Sequence, residues 1–130
     1  MTSFMDSIQN WPTPSVTSIP LRVEKGREFG AFHHSDLPEF VGQLFRSTDA
    51  QAIRIEFTRS GPEFYRASVA GTGCPPVPYS TLSGEYLPSF MEFCSPQPIS
   101  IWLHRENWFW VEGLEEDELE KLTYSFIHSL

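Results

Sequence analysis

The chain has 130 residues, a formal net charge of −8 and a pI near 4.9, with 40% hydrophobic and 15% aromatic residues. That length suits one domain whose core needs no metal or disulfide staple. Its nine Lys and Arg are scattered, which argues against nucleic acid as a ligand because phosphate neutralisation needs clustered cations; a basic protein is the better-matched partner.

The N-terminal residues Met1 to Asp6 lack the basic and apolar regions of a secretory signal. No apolar window approaches the ~18 residues of a membrane span. A soluble, cytoplasmic protein with no membrane contact is expected. Cys74 sits in a Pro/Gly loop and Cys94 at a helix end, without CxxC spacing, so both are expected to be free thiols.

Residues 1–18, with Trp11-Pro12-Thr13-Pro14 at their centre, have no sustained period and read as an N-terminal arm. Residues 19–130 form the single domain. Residues 19–24 and 28–33 flank Lys25-Gly26-Arg27 and read as a short hairpin or an extended excursion. A helix then starts at Ser35 or Asp36, with Pro38 in its first turn and Leu37, Phe40, Val41, Leu44 and Phe45 as its buried stripe. Gly42 inside that stripe suggests close packing.

Strands at 52–59 and 63–70, joined around Ser60-Gly61-Pro62, place Ile53, Ile55, Phe57, Tyr65, Ala67 and Val69 inward. Residues 71–79 hold two glycines and three prolines and read as a linker. A second helix follows from Ser83 or Gly84 to about Cys94, with Tyr86, Leu87, Phe90, Met91 and Phe93 as candidate core, and Pro96 and Pro98 stop it. Strands at 99–104 and 108–112 come next. The last helix, 115–129, carries Leu119, Leu122, Phe126 and Leu130 on one stripe, acids in its first turn and His128 in its last.

Leu37-Pro38-Glu39-Phe40 with its following hairpin is echoed by Leu87-Pro88-Ser89-Phe90 with its own, and each first strand ends at an arginine, Arg59 or Arg105. The reading is a degenerate αββ internal repeat plus a C-terminal helix. It gives an α+β fold, with an antiparallel sheet of four to six strands and helices mainly on one face.

The second hairpin has a register with functional consequences. A three-residue loop Arg105-Glu106-Asn107, with Asn107 left-handed, puts Ile101, Leu103, Phe109 and Val111 on the core face. Trp102, His104, Trp108 and Trp110 then share the opposite face, leaving more apolar area than a monomer normally shows to water. The N-terminal arm, a partner or a second copy of the chain could cover them. A two- or four-residue loop would turn Trp108 and Trp110 inward instead.

Glu112, Glu115, Glu116, Asp117, Glu118 and Glu120 crowd the start of the last helix against one Lys121, so five of the eight net negative charges fall there. Acids at that position stabilise the helix dipole. Their number exceeds what capping needs and suits a docking face for a cationic partner.

Signals for chemistry are weak. Adjacent residues on a strand point to opposite faces, and no HxxxH or HExxH pattern accompanies His33-His34, so no metal site is expected there. Gly71-Thr72-Gly73 lacks the Lys-Ser/Thr of a phosphate loop. Arg54 and Arg66 are expected on the outward sheet face, pairing across strands with Glu56 or Glu63. An enzymatic role would have to draw on His33, His34, Cys74 and His104, and no catalytic residue or cofactor is assigned.

The expected function is non-enzymatic protein binding: an immunity- or antitoxin-type inhibitor of a basic toxin or effector. Trp102, Trp108 and Trp110 are its anchors, and Glu115, Glu116, Asp117, Glu118 and Glu120 its steering face. The alternatives are a dimeric secretion-chaperone-like protein and a small enzyme.

Overall fold

Alternating apolar residues fold into one mixed-length antiparallel sheet. The computed structural model describes residues 23–94 and 98–130. Its strands are β1 (Glu28–His33), β2 (Ala52–Gly61), β3 (Phe64–Gly73), β4 (Leu82–Ser83), β5 (Ile99–His104) and β6 (Trp108–Val111). They lie in the order β1-β3-β2-β5-β6-β4, and every neighbouring pair is antiparallel. The helices are α1 (Leu37–Arg46), α2 (Leu87–Phe93) and α3 (Glu116–Ser129), making the fold α+β. Among the described residues, no helix is long and apolar enough to cross a membrane.

The sheet has one core face. Ile53, Ile55, Phe57, Tyr65, Ala67, Val69, Ile101, Leu103, Phe109 and Val111 are buried there with the apolar stripes of all three helices, in a single cluster. Phe90 of α2 ties the layers together, its ring edge-on to Phe109 of β6 at 5.4 Å and to Phe126 of α3 at 5.3 Å. Gly42 is buried within α1, as close packing requires.

Both Leu-Pro starts behave alike. Each follows a three-residue 3-10 turn, His34–Asp36 or Gly84–Tyr86, and puts proline in the first helical turn, where its missing N–H leaves no hydrogen bond unmade. On either side of the β2–β5 junction the elements also run strand, turn, helix, strand, strand. The match is one of element order; β1 has six residues where β4 has two, and a repeat of sequence is not confirmed by it. The two echoed arginines do different work. Arg59 donates to the Tyr65 hydroxyl at 3.0 Å and to the Pro62 carbonyl at 3.3 Å, pinning its own turn. Arg105 donates to the Ala50 and Thr48 carbonyls and lies over Phe45, clamping the loop between α1 and β2.

Several expectations are corrected. Glu28–His33 is a strand that pairs with β3, preceded by a turn in which the Arg27 N–H donates to the Glu24 carbonyl at 2.9 Å; residues 19–22 of the expected hairpin and the arm at 1–18 lie outside the described residues. Gly71–Gly73 belong to β3 rather than to a linker, because Thr72 and Gly73 pair with Ile53 and Ala52 and ladder hydrogen bonds outweigh weak glycine propensity. Tyr86 and Phe93 are exposed rather than core. Leu130 is exposed too, since α3 ends before it can turn inward; Leu119 and Phe126 carry the burial.

Candidate functional site

The second hairpin adopts the three-residue loop. Asn107 has φ 74°, a left-handed conformation its short polar side chain tolerates, and Leu103 pairs with Phe109 and His104 with Trp108. Trp102 and Trp110 are then directly opposite, so Trp102, His104, Trp108 and Trp110 share the face opposite that of Leu103 and Phe109. Their rings form a ladder: His104 on Trp108 at 3.9 Å, Trp108 beside Trp110 at 5.7 Å, and Trp110 beside Trp102 at 6.1 Å. Trp102 and Trp108 are half-buried, whereas Trp110 is only 7% exposed and His104 is buried too. The tryptophan face is therefore less open than the pattern alone implies, and Trp110 serves as a floor rather than as a projecting anchor.

His104 is held neutral. Its Nδ1 accepts the Glu106 N–H at 3.1 Å, a bond that a protonated Nδ1 could not make. Burial lowers its pKa from the ordinary 6.5, and Arg105 adds to the shift while Glu106 opposes it.

The acids at the start of α3 divide by task. Glu115 N–H donates to the Glu118 carboxylate at 3.2 Å, one arm of a capping box. Glu116 accepts the Tyr79 N–H at 3.1 Å and so ties the Pro-rich segment to the helix. Glu112 is bound to Arg54 at 2.7 Å, not to the cross-strand partners expected of that arginine. Asp117 and Glu120 are exposed and form no ion pair among the described residues.

Beside these acids lies an open groove of about 310 Å³. Trp110 and Leu119 line it together with Pro76, Val77 and Pro78 of the proline segment and Glu112, Gly113, Leu114 and Glu116 at the approach to α3. It exists because β4 covers β6 only at Trp108 and Phe109, leaving the edge at Trp110 and Val111 to the proline segment, which cannot continue the ladder. Val77 (52% exposed) and Tyr79 (83% exposed) stand in water around it. Val77 and Tyr79 were not singled out from the sequence; the signal was Val77 between Pro76 and Pro78 with Tyr79 directly after, in a run that cannot fold inward as a helix would. An apolar floor with carboxylates on the rim suits a long cationic side chain, whose alkyl stem packs while its charge pairs.

The four residues nominated for chemistry do not assemble into one site. His104 opposes Ala52 at one end of β2, whereas His33 pairs with Phe64, itself paired with Gly61 at the other end. Cys74 follows Gly73 at the His104 end, with β2 between them. Both cysteines are free; burial pushes the Cys94 thiol up to about 11, the reverse of what a nucleophile needs. One expectation fails at His33-His34. His34 lies in the 3-10 turn rather than on the strand, so alternation does not apply and the rings converge to 4.5 Å.

Comparison with protein-family models, curated proteins and solved structures finds no match to this chain.

Proposed function

We propose that the chain is a non-enzymatic protein-binding domain, an immunity- or antitoxin-type inhibitor that engages a basic toxin or effector at the start of α3 and the adjoining groove. The observation that carries this reading is that the first turns of α3, where Asp117 and Glu120 are exposed and form no ion pair among the described residues, adjoin a groove lined by Trp110 and Leu119 and flanked by exposed Val77 and Tyr79. Charge of one sign on the rim speeds encounter with a basic partner, and the apolar floor holds it after contact. Trp102 and Trp108 add half-buried aromatic area on the neighbouring sheet face.

The test is kinetic. Reversing Asp117 and Glu120 to lysine slows association with the basic partner and flattens its salt dependence without disturbing the cap, which belongs to Glu115 and Glu118. Unchanged rates would remove that face from the site.

A further inference from the structure

At the opposite edge of the sheet from the groove, three side chains converge that the protein-binding reading does not use. His33 closes β1, His34 opens the 3-10 turn, and Glu63 lies in the turn between β2 and β3. The backbone holds them in place. His34 N–H donates to the Glu63 carbonyl at 2.8 Å, and His33 pairs with Phe64 in the β1–β3 ladder while its ring meets the Phe64 ring edge-on at 5.3 Å.

One ligand atom from each side chain lies within 4.8 Å of the other two. Glu63 Oε1 is 3.3 Å from His33 Nε2 and 3.5 Å from His34 Nε2. Charge-assisted N–H···O bonds run about 2.7–2.9 Å, so both contacts are too long to be good ones. They match the spacing of neighbouring ligand atoms around one tetrahedral ion, which for bonds of ~2.0–2.1 Å is about 3.3–3.4 Å.

The other ring nitrogens differ between the two histidines. An imidazole that ligates through Nε2 keeps its proton on Nδ1 and gives it to a nearby oxygen, which fixes the ring. His33 Nδ1 accepts the Ser35 N–H at 3.1 Å and lies 2.7 Å from Ser35 Oγ, so the ring as it stands carries its proton on Nε2, and ligation there requires that proton to leave. His34 Nδ1 is buried and has no hydrogen-bond partner among the described residues, and the nearby Glu92 Oε2 stands 3.9 Å away. A proton on that nitrogen, whether set by ligation at Nε2 or by protonation of the whole ring, faces Glu92.

We propose that His33, His34 and Glu63 form a binding site for a divalent first-row cation of the zinc class, with Ser35 and Glu92 as positioning residues. Two imidazoles and one carboxylate are a borderline donor set that suits such ions and leaves a coordination position for water or a ligand from another molecule. Both histidines are half-buried and Glu63 is exposed, so an ion can enter. Once bound, it ties edge strand β1 to the β2–β3 turn and, through Glu92, to α2.

The experiment is titration of Zn2+ into the full-length, chelator-treated protein, followed by calorimetry and by imidazole NMR. One equivalent binds, and the His33 and His34 signals shift while those of His104 and His128 stay. Glu63→Gln abolishes this binding, Glu92→Gln weakens it about tenfold, and Cys74→Ser leaves it unchanged. Circular dichroism of Glu63→Gln, a change in an exposed turn, separates lost ligation from lost fold. No uptake, uptake unaffected by Glu63→Gln, or uptake that depends on Cys74 overturns the proposal. Because the two sites occupy opposite edges, any of these results leaves the groove reading where it was.

Discussion

Arg54 reaches from β2 past β5 to Glu112 beyond the end of β6, its Nη1 2.7 Å from the carboxylate and its guanidinium 6.0 Å from the Trp102 ring centroid. One cation thus ties the polar end of the tryptophan ladder to the acidic segment leading into α3. Both side chains are about one-third exposed, so solvent screens the pair. Arg54→Ala is expected to cost about 1 kcal/mol in urea denaturation, with part of the loss from ring contact rather than charge. A Glu112→Gln variant that loses as much would assign the whole effect to the ion pair.

The left-handed Asn107 sets the register that puts Trp102, Trp108 and Trp110 on one face. Asn107→Gly keeps the loop and changes stability by a few tenths of a kcal/mol, whereas Asn107→Val is expected to cost about 1–2 kcal/mol through the β-branched side chain at positive φ. Thermal melts of the two variants measure the difference. Equal melting temperatures would mean that the loop is not the register lock.

His104 makes stability depend on pH with a definite sign. Its folded pKa lies below the ordinary 6.5, so the unfolded chain binds more protons than the folded one in the interval between the two values. Its contribution is therefore fully present above pH 6.5 and is lost as pH falls through the folded value. Denaturation of the parent against His104→Gln across this interval is expected to show a steeper acid loss in the parent. Parallel curves would contradict the neutral, stacked imidazole.

The two thiols should react very differently. With its pKa pushed up to about 11 by burial, Cys94 is thiolate in only about one molecule in ten thousand at pH 7, and it is partly covered. Cys74 is exposed. A disulfide reagent is expected to label Cys74 quickly and Cys94 only on unfolding, which mass spectrometry of timed samples reads directly.

Much of the fold is legible from side-chain period. Ile53, Ile55 and Phe57, or Ile101 and Leu103, alternate so cleanly that their faces follow from it, and Leu-Pro pairs mark two helix starts. What escapes the sequence is set by pairings distant along the chain. Arg54 finds Glu112, 58 residues away, rather than a neighbour in its own hairpin. The two-residue β4 is too short to leave a period, and its end opens the groove at Trp110. His34 leaves the strand by a single 3-10 turn, which brings its ring beside His33 although strand alternation would part them. In the candidate site, the register of the tryptophans is readable, but the near-complete burial of Trp110 and the division of the acids between capping and exposure are not.

The central claim is most directly tested by capture from the native lysate, with the parent chain and the Asp117→Lys/Glu120→Lys variant side by side at low and high salt. The account predicts one basic protein retained stoichiometrically by the parent, released by salt and absent from the variant. A basic protein held equally by both chains, or a parent that retains nothing while remaining folded, would contradict it.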